Sequence, residues 1–290
     1  MTDHRYQRSL TFPWRLFVRR TLSAFTLPIA ITLSVATASA QASARAGENG
    51  NRFEWTGVVS AGAWIVVRNM NGPVSVTATA SRTAQITGLK RAERGGDPSV
   101  VRFVSRPLAN GGILVCALWG ANSDCDEDGY HSHNNGDGDH GRRNNVEVDL
   151  KVALPNGVNV RAGSVNGDVE VAGATAEVSA SSVNGTVRAT SSGGPVSATT
   201  VNGDVRASMR SAGAGDLHYS TVNGSIELEL PAALNADVEL RTVNGGFETD
   251  FPMTLSGRVS PRRLSGKIGS GGRELRATTV NGSIKLRKST

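Results

Sequence analysis

Apolar residues two apart recur on both sides of a short polar break along this chain. At the first break, Ile65 and Val67 come before it, and Val74 and Val76 follow it. An alternation with a period of two predicts two short strands, each with one buried face. The break itself is a four-residue phrase that ends in Asn-Gly, a pair that supplies the positive φ angles of a tight reversal or corner.

The polar break recurs at a nearly constant interval. Copies that read Ser/Thr-Val-Asn-Gly stand at 164–167, 182–185, 200–203, 221–224, 242–245 and 279–282, with a degenerate copy at 263–266 and an outlying one at 69–72. Their second positions in the dense part, 165, 183, 201, 222, 243, 264 and 280, are 18, 18, 21, 21, 21 and 16 residues apart. This repeat predicts an all-β protein: a β-solenoid-like stack of 16–21-residue coils that share one core.

Coil length follows the size of the inner side chains. Ala162, Ala180 and Ala198 stand before the breaks that are 18 residues apart, whereas Tyr219 and Leu240 appear where the spacing is 21. We expect the cross-section to broaden there, because a close-packed core needs room for larger side chains.

An antiparallel arrangement is the alternative, because Asn-Gly between alternating strands is also the strongest short-range hairpin signal. Hairpins would put the same apolar positions on one face and build a sandwich or a barrel. We favour the parallel stack, since like residues fall in register and Thr, Val and Asn can then ladder on copies of themselves.

The repeated Thr-Val-Asn-Gly-x-Ile/Val phrase resembles the bacterial “putative adhesin” family, a β-strand-repeat domain of unknown function. The resemblance covers the chain from about residue 53 to its end, including the early copy, a middle segment of longer strands and a Leu-Pro-Asn-Gly step at 154–157. It implies a β-repeat fold with a longer-stranded N-terminal part. It brings no catalytic residues with it.

The N-terminus has the pattern of a secretory signal peptide over residues 1–40. Arg19 and Arg20 precede an apolar run over 22–36, and Ala38-Ser39-Ala40 offers the small residues that a signal peptidase reads. An uncleaved membrane anchor is the alternative, but Pro28 and the many Ser and Thr residues make a poor permanent span.

Cleavage after Ala40 would leave a flexible leader over 41–52 and a single β-repeat domain over 53–290. We therefore expect a secreted or periplasmic protein of a bacterial cell envelope, with no transmembrane anchor after cleavage. Within the domain, longer strands are predicted at 53–59, 64–68, 74–78, 100–104, 113–118 and 146–154. No segment after the signal shows a 3.6-residue apolar period, so we expect almost no helix.

The only two cysteines, Cys116 and Cys125, lie in this longer-stranded part. An even pair in an exported protein indicates a disulfide. The chain-entropy estimate for a loop this short is about 2.7 kcal/mol of stabilisation. Two unpaired thiols are the alternative.

An acidic, His- and Gly-rich loop is predicted over 121–145. Asp124, Asp126, Asp128 and Gly129 match the first half of a calcium loop, but Asn135 stands where its bidentate Glu should be. We favour a solvated insertion without a cofactor and keep calcium within 124–139 as a weaker possibility.

A transition-metal site is a further alternative for the same loop. His131, His133 and His140 could bind zinc or copper together with a nearby carboxylate. The His-x-His spacing alone is a weak signal for such a site.

The charge balance argues against nucleic acid as a partner. The chain has 31 Lys and Arg against 25 Asp and Glu, but five of those arginines and one aspartate lie in residues 1–40, which leaves 26 against 24. Residues 251–290 nevertheless carry nine basic residues against Glu274 alone. The candidate patch for an anionic ligand consists of Arg262, Arg263, Lys267, Lys285, Arg287 and Lys288.

The same basic residues have a structural alternative. Lys and Arg on the open edge of a last coil would block end-to-end stacking of neighbouring molecules. The sequence places no capping element after that last coil.

No recognisable catalytic constellation accompanies the repeats. We therefore expect a non-enzymatic, adhesin-like envelope protein that presents a repetitive β surface to an anionic envelope glycan or to another envelope protein. An envelope-stress sensor that acts through protein contacts is one alternative. A carbohydrate-active enzyme built on a β-helix is another, but Asp168, Asp204 and Glu227 do not form the repeated acidic cluster that it would need.

Overall fold

Strands make up nearly all of the regular structure. The computed structural model describes residues 44–132, 145–256 and 260–289, which fall within one compact unit, Gln41–Thr290. The predicted signal peptide lies outside the described residues. Within them, the only helix is a short 3-10 turn at Pro98–Val100, and no helix is long and apolar enough to span a membrane.

The N-terminal part contains ten strands, including all six that the sequence predicts. They are β1 (Arg45–Asn49), β2 (Arg52–Val58), β3 (Trp64–Asn71), β4 (Val74–Thr79), β5 (Thr83–Ala92), β6 (Val101–Pro107), β7 (Ile113–Trp119), β8 (Ser123–Cys125), β9 (Tyr130–Ser132) and β10 (Val146–Pro155).

The dense repeats supply fourteen further strands. They are β11 (Asn159–Asn166), β12 (Val169–Ala174), β13 (Val178–Asn184), β14 (Val187–Ser191), β15 (Val196–Thr199), β16 (Val205–Met209), β17 (Leu217–Ser220), β18 (Ile226–Leu230), β19 (Ala236–Arg241), β20 (Phe247–Thr249), β21 (Met253–Leu255), β22 (Arg263–Ile268), β23 (Arg273–Thr278) and β24 (Ile284–Lys288).

Two eleven-stranded sheets form the body of the molecule. The spatial order in sheet A is β1-β2-β5-β10-β4-β12-β14-β16-β18-β24-β20. The order in sheet B is β21-β22-β19-β23-β17-β15-β13-β11-β3-β7-β6. Every polar break except the degenerate copy at 263–266 joins a strand of sheet B to a strand of sheet A, and we call such a pair of strands a coil.

Neighbouring coils pair in parallel and in register. In sheet B, Val160 pairs with Val178, and Val178 pairs with Val196. In sheet A, Val187 pairs with Val205 in the same way. This arrangement confirms the β-solenoid-like prediction, and the antiparallel-hairpin alternative is wrong for the repeats.

One apolar core lies between the two sheets, because alternate residues of each strand point inward. Ala162, Ala180 and Ala198 occupy equivalent inner positions, and all three are buried. Tyr219 and Leu240 take the corresponding positions in the coils with longer spacing and are buried as well. The core therefore holds larger side chains where the coils are longer, as the sequence predicts.

The coils do not stack in sequence order. The coil of β23 and β24 is the last in the chain, yet it lies between the coil of β17 and β18 and that of β19 and β20. Charge alternates along this order, since Lys285 of β24 pairs in register with Glu227 on one side and Glu248 on the other. Placing β18 directly beside β20 would bring these two glutamates together, which is unfavourable.

The degenerate copy at 263–266 is not a coil. It lies in β22, which pairs antiparallel with β19 and places Leu264 opposite Leu240. The edge-protection interpretation of the basic C-terminus is also wrong, because β24 is an interior strand. The sheet edges are β20 and β1 in sheet A, and β21 and β6 in sheet B.

The segment predicted as a flexible leader contains β1. All five residues of β1 are exposed, and the strand is held by antiparallel backbone pairing with β2. In addition, its Glu48 forms an ion pair with the buried Lys90 of β5. A strand without a buried face gives no alternation signal, which is why the hydrophobic pattern does not reveal it.

Part of the predicted acidic loop is an ordered hairpin, β8–β9. Its Cys125 and Tyr130 pack with outward-facing residues of β3 and β7, such as Val66 and Leu114, in a second apolar cluster. The Tyr130 hydroxyl donates to the carbonyl oxygen of Ala117 at 3.1 Å. The rest of that loop, 133–144, lies outside the described residues.

Glycine at each polar break lets neighbouring coils approach closely. A Cβ added to Gly224 would lie 2.0 Å from the carbonyl oxygen of Gly203 in the next coil, and one added to Gly185 would lie 2.3 Å from that of Gly167. Both distances are far below van der Waals contact, so a side chain does not fit there without moving the backbone.

The Ser or Thr that opens each break holds the next coil. Thr221 is buried, and its hydroxyl donates to the carbonyl oxygen of Gly203 at 2.8 Å. Equivalent bonds of 2.8–2.9 Å are made by Ser164, Ser182, Thr200, Thr242 and Thr279. In the outlying copy, Asn69 takes this position and donates to the carbonyl oxygen of Gly72 in its own break at 2.9 Å and to that of Val148 in β10 at 2.7 Å.

Gly224→Ala is expected to lower the free energy of unfolding by about 3 kcal/mol, because the new methyl group overlaps a backbone oxygen. The matched control is Gly246→Ala, where an added Cβ would meet nothing within 4 Å. Urea unfolding of both variants measures the difference. Equal stability of the two variants would contradict the close packing of the coils.

Leu286→Ala tests the interior position of the last coil. Leu286 is completely buried between neighbouring coils, so we expect a loss of about 2–5 kcal/mol in the free energy of unfolding. Leu255→Ala is the control, since Leu255 on the edge strand β21 is 50% exposed. If both variants unfold at the same denaturant concentration, the burial of β24 within the stack is wrong.

Candidate functional site

In the six copies that read Ser/Thr-Val-Asn-Gly, the asparagines build a ladder of amide hydrogen bonds along the solenoid. The Nδ2 of Asn202 donates to the Oδ1 of Asn184 at 2.8 Å, and Asn184 donates to Asn166 in the same way. The ladder continues at 2.8 Å through Asn223, Asn281 and Asn244. All six side chains are exposed, and every bond runs in the same direction along the stack.

In the six copies that read Ser/Thr-Val-Asn-Gly, the second residue is a valine that points away from the core. Val183, Val201, Val222 and Val243 are 39–49% exposed, although valine is a common core residue. Val165 and Val280 hold the same position and are half-buried. In spatial order the row is Val165, Val183, Val201, Val222, Val280 and Val243, and we call it, with the asparagine ladder beside it, the corner row.

The corner row itself is uncharged. Asp168 and Asp204 follow the glycine of two breaks, and each lies near an arginine of the adjoining strand. Arg188 is 3.7 Å from Asp168, and Arg206 is 2.9 Å from Asp204. These pairs leave the row bordered by compensated charges.

The aspartates predicted as calcium ligands have other partners. Asp124 accepts a hydrogen bond from Arg106 at 2.6 Å, and the pKa of its carboxyl group is lowered by the backbone N–H of Cys125 and by that arginine. Asp126 accepts backbone hydrogen bonds from Gly129 at 3.0 Å and Asp128 at 2.8 Å, which lower its pKa.

Asp126 also contacts His131 Nε2 at 2.7 Å, so this histidine lies within the hairpin. Among the described residues, Asp124, Asp126 and Asp128 are not gathered into a metal-ligand group. The other two predicted histidine ligands, His133 and His140, lie outside the described residues.

Cys116 and Cys125 are bonded to each other in the structure. The bond joins β7 to the β8–β9 hairpin, and both residues are completely buried. The disulfide therefore fixes the hairpin over the second apolar cluster and presents no accessible sulfur to a ligand.

The predicted anionic-ligand patch is divided between the two sheets. Lys285, Arg287 and Lys288 belong to β24 of sheet A, whereas Arg263 and Lys267 belong to β22 of sheet B. Arg262 is exposed immediately before β22. The six residues therefore do not form one surface.

Acidic neighbours compensate most of these basic side chains. Arg287 pairs with Glu248 at 2.8 Å and with Asp250 at 3.1 Å, and Lys285 lies 3.5 Å from Glu248. The Nζ of Lys288 lies 5.6 Å from the centre of the Phe251 ring. The Arg287 guanidinium lowers the pKa of Glu248 through their hydrogen bond.

Sheet B has an ion cluster centred on Glu239. Arg241 and Arg263 approach one of its carboxylate oxygens at 2.6 and 2.7 Å, and Arg276 approaches the other at 3.2 Å. The hydrogen bond from Arg241 is the main cause of the lowered pKa of Glu239. The cluster combines three strands, so no local sequence pattern reveals it.

A second group found only in the structure combines Asp216, His218 and Glu274. One ligand atom from each residue lies within 4.8 Å of the others, a separation that a divalent cation can bridge. The carboxylates already have partners, however. Asp216 accepts the backbone N–H of Glu274 at 2.9 Å, and Glu274 pairs with Arg276 at 2.7 Å. The guanidinium of Arg276 opposes a cation at this place.

Glu239→Gln is expected to reduce stability at neutral pH by about 1 kcal/mol, because three guanidinium groups lose their charged partner. Since the folded-state pKa of Glu239 is lowered, its contribution is present above the ordinary value of about 4.3 and is lost as pH falls through the lowered pKa. The stability difference between variant and parent should therefore narrow in acid.

Thermal unfolding across pH measures this effect. Glu54→Gln is the control, since the ion pair of Glu54 with Arg52 is about half exposed on both sides and is expected to contribute little. A Glu239→Gln difference that does not change with pH would contradict the role of the ionised carboxylate.

Two solved structures resemble this fold. One is a “putative cell adhesion protein” from Clostridium sporogenes ATCC 15579, with 10% identity, coverage of 81% of this chain and 99% of that chain, and a TM-score of 0.45. The other is a “putative adhesin” from Bacteroides fragilis NCTC 9343, with 10% identity, coverage of 83% and 98%, and a TM-score of 0.33. No curated protein matches the chain.

A family model gives the most extensive match. The model described as Toastrack DUF4097 matches residues 63–287, which include every copy of the polar break. Neither this family nor the two solved structures carry the name of an enzyme. Because the match spans well over half of the sequence, the chain belongs to the Toastrack DUF4097 family.

Proposed function

We propose that this protein is a non-enzymatic, adhesin-like binding protein of the bacterial cell envelope, and that it binds through the corner row. One observation carries the proposal. Three of the four residues in the polar break have a structural role, as the hydroxyl donor, the amide rung and the glycine contact, whereas the valine side chain is exposed. An exposed apolar residue repeated on one line of the surface is typical of an interaction site.

The names of the two similar structures agree with adhesion as the broad role. The predicted signal peptide over 1–40 supports export to the periplasm or the cell surface, with 53–290 as the β-repeat domain. The bonded pair Cys116–Cys125 suits an oxidising compartment.

The proposed binding surface is the corner row and not the basic C-terminal patch that the sequence suggests. Ion pairing of Arg263 with Glu239, and of Arg287 with Glu248, reduces the attraction that the basic C-terminus has for an anionic ligand. The corner row instead offers partly exposed valine side chains beside a row of exposed asparagine amides. An envelope partner bound there accounts for the repeated valine.

Removing apolar surface from the corner row should weaken attachment to the envelope. The exported protein and its Val201→Ser, Val222→Ser double variant are incubated with isolated envelope fractions, and bound protein is measured as a function of concentration. We expect a loss of affinity of about tenfold or more, because the variant has less apolar surface to remove from water on binding.

The matched control is the Val58→Ser, Val100→Ser variant, since these valines are 52% and 37% exposed but lie outside the row. Thermal unfolding of each variant separates loss of binding from loss of folding. Equal binding by the two double variants, or no binding by the folded parent protein, would overturn the proposed function.

A further inference from the structure

The asparagine ladder leaves hydrogen-bonding groups at every rung. A side-chain amide has two N–H donors and an oxygen with two lone pairs. Asn184, Asn202, Asn223 and Asn281 each use one N–H and one lone pair for the ladder itself. In the described part of the chain, one N–H and one lone pair of each remain beyond these bonds, on side chains that are exposed.

These groups repeat at the spacing of a parallel β-ladder. Neighbouring strands lie about 4.8 Å apart, so a donor, an acceptor and a half-exposed valine recur together at that interval. The asparagines pair in register from coil to coil, as Asn184 does with Asn202 and Asn202 with Asn223. The row is therefore a regular array of one apolar and one amide group per coil.

A polysaccharide in an extended conformation has a matching repeat. In a β-1,4-linked chain, successive rings advance by nearly the same distance as successive β-strands. Each ring presents C–H groups on its face and hydroxyl or amide groups at its rim. A valine can pack against the face of the ring, and an asparagine amide can form hydrogen bonds with its rim. One coil can therefore bind one sugar.

The charge of the row favours a neutral glycan. No residue of the row is charged, and the carboxylates that follow two of its glycines, Asp168 and Asp204, are balanced by arginines. Arg188 and Arg206 are already engaged with those carboxylates. An anionic polysaccharide therefore has less to gain here than an uncharged one.

We propose that the corner row binds an extended, neutral, β-1,4-linked polysaccharide with one sugar on each coil. This inference rests on the proposed function and names the ligand class for the same surface. Because the row has six valine–asparagine rungs, from Val165 to Val243 in space, affinity should increase with oligosaccharide length until six sugars are bound. Longer chains should then bind about equally well.

The experiment uses β-1,4-linked N-acetylglucosamine oligomers that are shorter than, equal to and longer than the row. Isothermal titration calorimetry with the exported protein measures each dissociation constant. We expect affinity to increase with each added sugar and to level off at the length of the row. Dextran, a neutral but flexible α-1,6-linked glucan, is the control polymer and should not bind.

Two matched variants test the site. The Val201→Ser, Val222→Ser protein should lose about tenfold or more in affinity for the longest oligomer, while the Val58→Ser, Val100→Ser protein should keep it. Loss of affinity in both variants, or affinity that does not depend on oligomer length, would overturn the assignment of one sugar to each coil.

Two further outcomes would also reject the glycan. If the folded protein binds envelope fractions but none of the oligomers, the proposed function stands and the ligand class is wrong. If it binds neither envelope fractions nor oligomers, the proposed function and the ligand class are both rejected. Sedimentation gives the other outcome: a dimer that the corner-row variant abolishes would identify a second copy of this chain as the occupant.

Discussion

The close contact between neighbouring glycines at the corners is the constraint on which the stack depends. With Gly224 in contact with the Gly203 backbone, the coils are near enough for Thr221 to reach the Gly203 carbonyl oxygen at 2.8 Å. The same approach aligns the amide ladder and sets the register of both sheets. One glycine per repeat, because it has no side chain, thus lets several hydrogen bonds form. This explains why the four-residue phrase varies so little within the chain.

The contacts at the corners do not fix the order of the coils, and the charges on the outward faces favour the observed one. Every corner offers similar backbone and hydroxyl groups, so several orders could satisfy them. The outward faces differ, however, since β18 carries Glu227 and Glu229 while β24 carries Lys285 and Arg287. Insertion of β24 beside β18 converts like-charge contacts into opposite-charge pairs, at the expense of a longer connection. That connection includes β21 and β22, which also cover the outer side of β19.

The sequence predicts those features that depend on local periodicity. The strands, the parallel stack and the ladders of Thr and Asn follow from repeated positions. The hydrophobic pattern does not indicate strand β5, because its inward residues include Gly88, which makes room for Phe103, and Lys90, which pairs with Glu48. The coil order and the Glu239 cluster were also out of reach, since they depend on pairings between distant strands. The corner row was visible as a pattern, but only the structure shows that its valines face outward.

A repeated residue in a solenoid has two possible explanations, packing between coils or contact with something outside. The burial of each side chain distinguishes these two explanations. Packing between coils explains the repeated Thr and Gly, because their contacts join one coil to the next. The hydrogen-bonded ladder explains the repeated Asn in part. Valine at a 39–49% exposed position leaves much of its apolar surface in water. The regular use of valine together with amides that keep a donor and an acceptor is the feature that the proposed ligand, with the same repeat, would explain.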